Sequence, residues 1–209
     1  MDEISEWMPQ AGAGVALVVF VVGLAGAFGV RAWLHHRRTG DFGFRRAAPP
    51  HPIGRLGGVL FLGALVLCGV GLVLYVVAPA LQWGAPVVVT VLGLVAGAVG
   101  LWGVFASQTA MGASWRVGVD PDEVTELVTT GPFAVVRNPI FTAMGITLIG
   151  VTLLAPGPLT LLALLAFCGG VQLQVRLVEE PLLDSLHGDA YRTYVRRVGR
   201  FLPGLGRHR

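Results

Sequence analysis

Five long apolar segments restrict what this chain can fold into more than any other feature of its sequence. They run over residues 12–33, 57–78, 86–105, 140–155 and 159–178. A helix needs roughly 20 apolar residues to span a bilayer. Charged residues make up only 13% of the chain, whereas soluble domains carry about a quarter. The sequence therefore predicts an all-α polytopic membrane protein with five transmembrane helices, a C-terminal helical hairpin and an interfacial cytoplasmic tail.

The placement of arginine predicts how these spans are oriented. Arginines concentrate in residues 31–55, at 116 and 137, and from 176 onward, whereas 79–85 and 156–158 carry no charge. By the positive-inside rule, we expect the loop 34–55 and the tail after residue 180 to be cytoplasmic and the N-terminus to lie outside. The residues before the first apolar segment are acidic, whereas a cleaved signal peptide begins with a positively charged region. We expect a retained first span and a location in a bacterial inner membrane.

We interpret residues 1–209 as a single membrane domain with two parts. Residues 12–105 form a three-helix scaffold. Residues 106–209 form a cytoplasmic segment, the helical hairpin and the tail, and together they build the functional site. Small residues in the third apolar segment support the scaffold role, because they let helix backbones approach closely; these residues are Gly93, Gly97, Gly100 and Gly103.

Two groups of residues that could suggest a metal site have simpler interpretations. The acidic run 120–123, Asp-Pro-Asp-Glu, matches an N-cap, a first-turn proline and a capping box. We expect a short cytoplasmic helix from there to about residue 128. His35 and His36 are adjacent and would point apart on a helix, so we interpret them as part of an interfacial basic patch. The sequence predicts no metal site.

The segment 129–141 places polar and helix-breaking residues at the mouth of the fourth apolar segment. Helices usually end before a proline and begin well with one, so this segment predicts a break followed by a new helix. Arg137 could reach the headgroup zone or a cavity while its stem stays in apolar surroundings. We therefore expect a site at the membrane surface. Its candidate residues are Gly131, Pro132, Phe133, Arg137, Asn138, Pro139 and Phe141.

Polar residues also interrupt the end of the fifth apolar segment, at Gln172, Arg176, Glu179 and Glu180. Steps of three or four residues would place them on one face of an α-helix. Charges at this depth are costly and call for a partner, a wet cavity or a functional site. Pairing of Arg176 with one glutamate is the simplest interpretation. It leaves a surplus negative charge, which a cationic ligand would balance.

The order of these residues resembles the membrane methyltransferases related to isoprenylcysteine carboxyl methyltransferase and to phospholipid N-methyltransferases. The resemblance covers roughly residues 114–203. The family pattern is Gly-Pro-aromatic, Val-Arg-His-Pro-x-Tyr-x-Gly, a helical hairpin, Arg-x-x-Glu-Glu-x-x-Leu, Gly-x-x-Tyr-x-x-Tyr and a closing proline. The matching residues are Gly131, Pro132, Phe133, 136–143, Arg176, Glu179, Glu180, Leu183, Gly188, Tyr191, Tyr194 and Pro203. Three residues differ from the pattern: this chain has Asn138 where the pattern has histidine, Phe141 where it has tyrosine and Ala143 where it has glycine.

The resemblance implies that S-adenosylmethionine binds between the last two spans and the tail, and that its methyl group passes to a lipophilic or membrane-embedded substrate. Glu179 and Glu180 would hold the cofactor's amino group or ribose hydroxyls, and an arginine its carboxylate. The implied catalytic residues are Arg137, Arg176 and Asn138. The implied cofactor-binding residues are Gly131, Pro132, Phe133, Arg137, Asn138, Pro139, Phe141, Glu179, Glu180, Tyr191 and Tyr194, with the two tyrosines in a lid.

We further expect the turn at 156–158 to bring Arg137 and Arg176 onto opposite walls of one pocket. One arginine would pair with a glutamate. The segment 129–141 contains no acid, so we expect Arg137 to be the one left free for an anionic ligand group.

The expected partners are membrane lipids and a lipophilic substrate. The tail alternates aromatic and apolar residues with arginine, which is typical of an interfacial helix, and the basic residues need no nucleic-acid partner. Two alternatives are an NADPH-dependent membrane reductase of the sterol-reductase type and a non-catalytic membrane scaffold. The paired glutamates fit the phosphates of NADPH poorly, and the polar face of the last span argues against a scaffold. The acceptor atom and the oligomeric state stay open.

Overall fold

The structure is a computed structural model, and it describes residues 2–45, 52–118 and 126–207. The helices are α1 (Asp2–Leu24), α2 (Arg31–Thr39), α3 (Pro52–Val77), α4 (Val87–Met111), α5 (Pro132–Val135), α6 (Pro139–Leu154), α7 (Pro158–Gln174), α8 (Glu180–His187) and α9 (Asp189–Arg197). Two π-helical segments, Ala25–Val30 and Val175–Glu179, join α1 to α2 and α7 to α8. The described residues contain only isolated bridges and no strand, so the all-α prediction is confirmed for them.

All five predicted apolar segments lie in helices, and four of these helices are long and apolar enough to cross a membrane. The four are Gln10–Thr39, Ile53–Val77, Val87–Met111 and Pro158–His187. Helix α6 has 16 residues and is therefore about 24 Å long, less than the hydrocarbon core of about 30 Å. The four long apolar helices indicate an integral membrane protein.

The structure differs from the sequence-based expectation in three respects. The first long helix continues to Thr39, so residues 34–39 are helical instead of belonging to a loop. Residues 126–129 are not helical, which contradicts a helix reaching residue 128, while the capping run 120–123 lies outside the described residues. His35 is buried against Trp115, with 5.5 Å between the ring centroids, and therefore does not form an exposed basic patch.

Close backbone contacts hold the long helices together in pairs: α4 packs on α6, and α3 packs on α7. A Cβ atom at Gly150 of α6 would lie 2.7 Å from the carbonyl oxygen of Gly93 in α4. A Cβ atom at Gly57 of α3 would lie 3.1 Å from the carbonyl oxygen of Gly170 in α7. Small residues allow such approach in membranes, where apolar burial gives little drive for association. The packing role predicted for the glycines of α4 is confirmed at Gly93 and Gly100, which are buried against α6.

The two ends of the helix bundle differ in charge. At one end the uncharged connections meet: the amide of Trp83 donates to the carbonyl of Pro156 (2.7 Å), and the amide of Leu159 donates to the buried hydroxyl of Tyr75 (2.9 Å). At the other, the start of α6 meets Glu180 and Arg200, and α2 packs against the segment after α4 through Arg31, Gly112 and Trp115. We call this second end, where Arg31, Arg137, Glu180 and Arg200 lie, the charged end.

We expect Gly150→Ala to lower the stability of the protein. The added methyl group would overlap the backbone of α4, and overpacking costs about 1–3 kcal/mol. The matched control is Gly63→Ala, because a Cβ atom at Gly63 of α3 meets nothing within 4 Å. Thermal unfolding in detergent measures both variants. Equal melting temperatures for the two would contradict the contact between α4 and α6.

Candidate functional site

An ion cluster at the charged end joins the start of α6, the start of α8 and the tail. Arg137 Nη2 lies 2.7 Å from Glu180 Oε1. Arg200 binds the same carboxylate with two donors, Nε to Oε1 at 2.7 Å and Nη2 to Oε2 at 2.8 Å. The side chain of Arg137 is 2% exposed, that of Arg200 11% and that of Glu180 14%. Both oxygens of Glu180 are therefore occupied by guanidinium groups in a nearly dry environment.

Carbonyl groups of the tail satisfy the remaining donors of Arg137 in part. Its Nη1 donates to the carbonyl of Val195 (3.2 Å), and its Nη2 donates to that of Gly206 (3.2 Å). The buried Nε has no partner among the described residues. Arg137 is thus enclosed by the tail, and its guanidinium is not presented to a ligand.

Backbone hydrogen bonds fix the segment before α6 against the tail. The amide of Arg137 donates to Gly199 (2.8 Å), and both the amide and the side-chain Nδ2 of Asn138 donate to the carbonyl of Arg200 (3.1 Å each). The hydroxyl of Thr142 donates to the carbonyl of Phe201 (3.0 Å). Asn138, which stands where the family pattern has histidine, therefore anchors the tail through its side-chain amide.

The residues around Arg137 occupy structural positions. Gly131 adopts a positive φ of 58° and precedes α5, which begins at Pro132. Pro139 is buried at the first position of α6. Phe141 contacts Phe61 edge-on, with 6.1 Å between the ring centroids, and so belongs to the apolar core.

Helix α9 is amphipathic, as the sequence predicted for the tail. Tyr191, Tyr194 and Val195 are buried, while arginines of the same helix are exposed. The hydroxyl of Tyr194 donates to the carbonyl of Phe133 at 2.6 Å. Burial raises the pKa of Tyr194 to about 12, so this hydroxyl stays a donor at neutral pH. Tyr194 thus braces α9 against α5.

The predicted pairing of charges is wrong. Arg137, expected to be free, holds Glu180, whereas Arg176 is exposed and donates from Nε to Gln172 Oε1 at 2.9 Å. Both oxygens of the Glu180 carboxylate are bound by Arg137, from the start of α6, and by Arg200, from the tail, so none is left for Arg176.

The surplus negative charge inferred for the paired glutamates is also absent at Glu180, because two arginines compensate it. Arg200 is the residue that the sequence interpretation missed, since the alternating pattern of the tail does not show that this arginine is buried. Its hydrogen bonds to Glu180 raise the pKa of its guanidinium. The excess of glutamates over arginines on the last span was the signal that a further cation was needed.

Glu179 and Arg176 remain the charged groups of this region with unfilled binding capacity. Glu179 is half-buried, and the ion pairs of Arg137 and Arg200 go to Glu180 and not to Glu179. The side chains of Gln174 and Arg116 lie near it. Arg176 uses only Nε in a hydrogen bond among the described residues, so its two terminal amino groups are available.

Comparison with known proteins gives one family match. Residues 88–190 match the model of the phospholipid methyltransferase family. The matched segment contains Arg137, Arg176, Glu179 and Glu180, and it ends before Tyr191 and Arg200. No curated protein matches the chain. The resemblance stated from the sequence motifs is confirmed by the family match.

We expect Glu180→Gln to destabilise the protein strongly, because it leaves Arg137 and Arg200 without a counter-charge. Breaking a buried ion pair costs about 3–5 kcal/mol. Arg137→Lys should act in the same direction, since a point charge cannot replace the planar guanidinium. The control is Asp184→Asn, which removes an ion pair with Arg192, whose side chain is 58% exposed, and exposed pairs contribute about 0–1 kcal/mol. Thermal unfolding gives the comparison; similar losses for Glu180→Gln and Asp184→Asn would refute a structural role for the cluster.

Proposed function

Because residues 88–190 belong to the phospholipid methyltransferase family, we propose that the protein transfers a methyl group from S-adenosylmethionine to a lipid-type substrate at the membrane surface. The observation that carries the proposal is the family match over a segment that brings charged residues to one end of an apolar helix bundle. The reductase and scaffold alternatives gain no support from any contact described above. The acceptor belongs to the lipids or to lipophilic molecules dissolved among them.

The residues at the charged end suit the charges of S-adenosylmethionine. The cofactor carries a carboxylate and an ammonium group, and when bound it supplies an electrophilic methyl group on a sulfonium. Arg176, with its free terminal amino groups, suits the carboxylate, since a guanidinium fork matches that geometry. Glu179 suits the ammonium group or the ribose hydroxyls. Glu180 and Arg137 act as positioning residues, because each is already occupied by the other.

The protein's contribution to the reaction is orientation and exclusion of water. Methyl transfer to a neutral or anionic acceptor disperses the sulfonium charge, so alignment in a dry site supplies much of the rate. The cluster of Arg137, Glu180 and Arg200 holds the tail beside the start of α6, where it can cover a bound cofactor. Residues 106–209 would then form the cofactor site, with Gly131, Pro132, Phe133 and Asn138 shaping the backbone beneath the tail.

The direction of the bundle in the membrane is part of the proposal. We infer that the charged end faces the cytoplasm, where S-adenosylmethionine is made, and that the connections 79–85 and 156–158 face outward. The charge difference between the two ends supports this orientation through the positive-inside rule. Helix α6 is shorter than the hydrocarbon core, so it would form a fifth span only where the bilayer thins locally or where longer neighbouring helices shield its ends.

We expect Glu179→Gln to weaken binding of S-adenosylmethionine about tenfold or more, because a charge-assisted hydrogen bond is worth roughly 1.5–3 kcal/mol. Its melting temperature should stay near that of the wild type. Calorimetric titration of the purified protein measures affinity, and transfer of labelled methyl groups into the lipid extract of membranes measures activity. The control is again Asp184→Asn, which should change neither. Unaltered affinity in Glu179→Gln would remove this residue from the proposed site.

We expect cysteine labelling in intact cells to distinguish the two ends. In a background lacking Cys68 and Cys168, an impermeant maleimide should modify Gly84→Cys directly and Leu205→Cys only after permeabilisation. Both positions are exposed. Labelling of Leu205→Cys in intact cells would place the proposed cofactor site in the wrong compartment.

A further inference from the structure

The tail after α9 returns to the helix bundle instead of continuing away from it. Helices α7 and α8 form one helical stretch, Pro158–His187, which rises from the uncharged end. Arg200 contacts Glu180 at the start of α8, so α9 runs back along α8. The next residue, Phe201, packs against the apolar core of the bundle, and its carbonyl accepts a hydrogen bond from Thr142 of α6 at 3.0 Å.

The depth of this contact follows from the length of α6. Twelve residues separate Thr142 from Leu154, the last residue of α6 at the uncharged end, and they correspond to about 18 Å of helix. The hydrocarbon core is about 30 Å thick. The neighbouring Phe141 contacts Phe61, which lies nine residues inside α3 and agrees with this depth. The carbonyl of Phe201 therefore lies inside the hydrocarbon core instead of above it.

The irregular segment 199–206 has the backbone hydrogen bonds that such a depth requires. Non-helical backbone at membrane depth is tolerated only where its polar groups find partners within the protein. Inside the segment, the amide of Arg200 donates to the carbonyl of Leu205 (2.8 Å), and the amide of Leu205 donates to that of Leu202 (3.1 Å). With the bonds from α6 and its preceding segment, the carbonyls of residues 199–202, 205 and 206 all accept a hydrogen bond.

Two leucines project outward from this segment. Leu202 is 55% exposed and Leu205 is 62% exposed. The turn between them contains Gly204 with a positive φ of 77°, and a Cβ atom there would lie 3.7 Å from Nη2 of Arg207. An apolar pair beside a long cationic side chain suits the boundary between acyl chains and phosphates, because the cation can reach the headgroups while the leucines stay among the chains.

We propose that the segment 199–206 is a re-entrant membrane anchor, with Leu202 among the acyl chains below the headgroups and Leu205 at their boundary. Helix α9 does not supply this contact, because its apolar side chains are buried against the protein. The occupant is the bilayer, since the segment lies beside the first turn of α6, at a depth where the surface of the bundle faces lipid. The anchor is independent of methyl transfer, because it requires neither cofactor nor acceptor.

The test attaches bimane to a single cysteine of the full-length protein, in a background lacking Cys68 and Cys168, and measures quenching by brominated phosphatidylcholine in nanodiscs. S-adenosylmethionine is absent, so failure of the proposed methyl transfer does not affect the result. Bimane at Leu202→Cys should lose most of its fluorescence, and more with bromine near the headgroup than with bromine near the chain end.

Two matched positions calibrate the measurement. Val66→Cys, which is 66% exposed near the middle of α3, should be quenched most by bromine near the chain end. Asp189→Cys, at the far end of α8 with a side chain that is 99% exposed, should keep its fluorescence with either lipid. Quenching at position 202 no greater than at position 189 would overturn the proposal.

A second reporter, Leu205→Cys, keeps the proposal testable if Leu202→Cys fails to fold. The boundary is hydrated, so bimane at position 205 should be quenched both by bromine near the headgroup and by iodide in the water. A water-soluble maleimide can reach a cysteine there for the same reason. Protection of position 205 from both quenchers would show that protein covers it, such as a second copy of the chain, and would refute the anchor.

Discussion

The arrangement of the charged end depends on one carboxylate, Glu180, held between Arg137 and Arg200. Three buried charges would each be costly alone, yet here every oxygen of the carboxylate meets a donor. The cluster also sets the register of the tail, because Arg137 and Asn138 bond through their backbones to residues 199 and 200. The start of α6, the start of α8 and the end of the chain are thereby fixed to one another.

Both π-helical segments lie where a long apolar helix reaches charged residues. The segment Val175–Glu179 contains the exposed Arg176 and ends next to Glu180, which binds Arg200 of the tail. In the segment Ala25–Val30, the carbonyl of Ala27 accepts a hydrogen bond from Gln108. A π turn inserts one residue into a helix without ending it, so it redirects the residues beyond it at little cost in backbone hydrogen bonds. The two residues proposed to bind the cofactor, Arg176 and Glu179, lie in the second of these segments, Val175–Glu179.

The charged groups fall into two kinds with different tasks. Glu180, Arg137 and Arg200 compensate one another's charges, so they form a structural support. Glu179 and Arg176 lie outside these ion pairs, and the proposed cofactor site rests on them. This division separates the expected effects of mutation: changes in the support act on unfolding, whereas changes at Glu179 and Arg176 act on binding of the cofactor.

The sequence by itself determined the helical membrane class, the positions of the long helices and the resemblance that the family match over residues 88–190 supports, because apolar segment length and motif order are local properties. It also located the residues of the charged end, including Arg137, Glu179 and Glu180. It did not determine which charges pair, since that depends on the tail folding back to bring Arg200 into contact with Glu180. The burial of Arg31 and His35 likewise came only from the tertiary structure: an α-helical repeat shows which residues share a face, and it does not show what packs against that face.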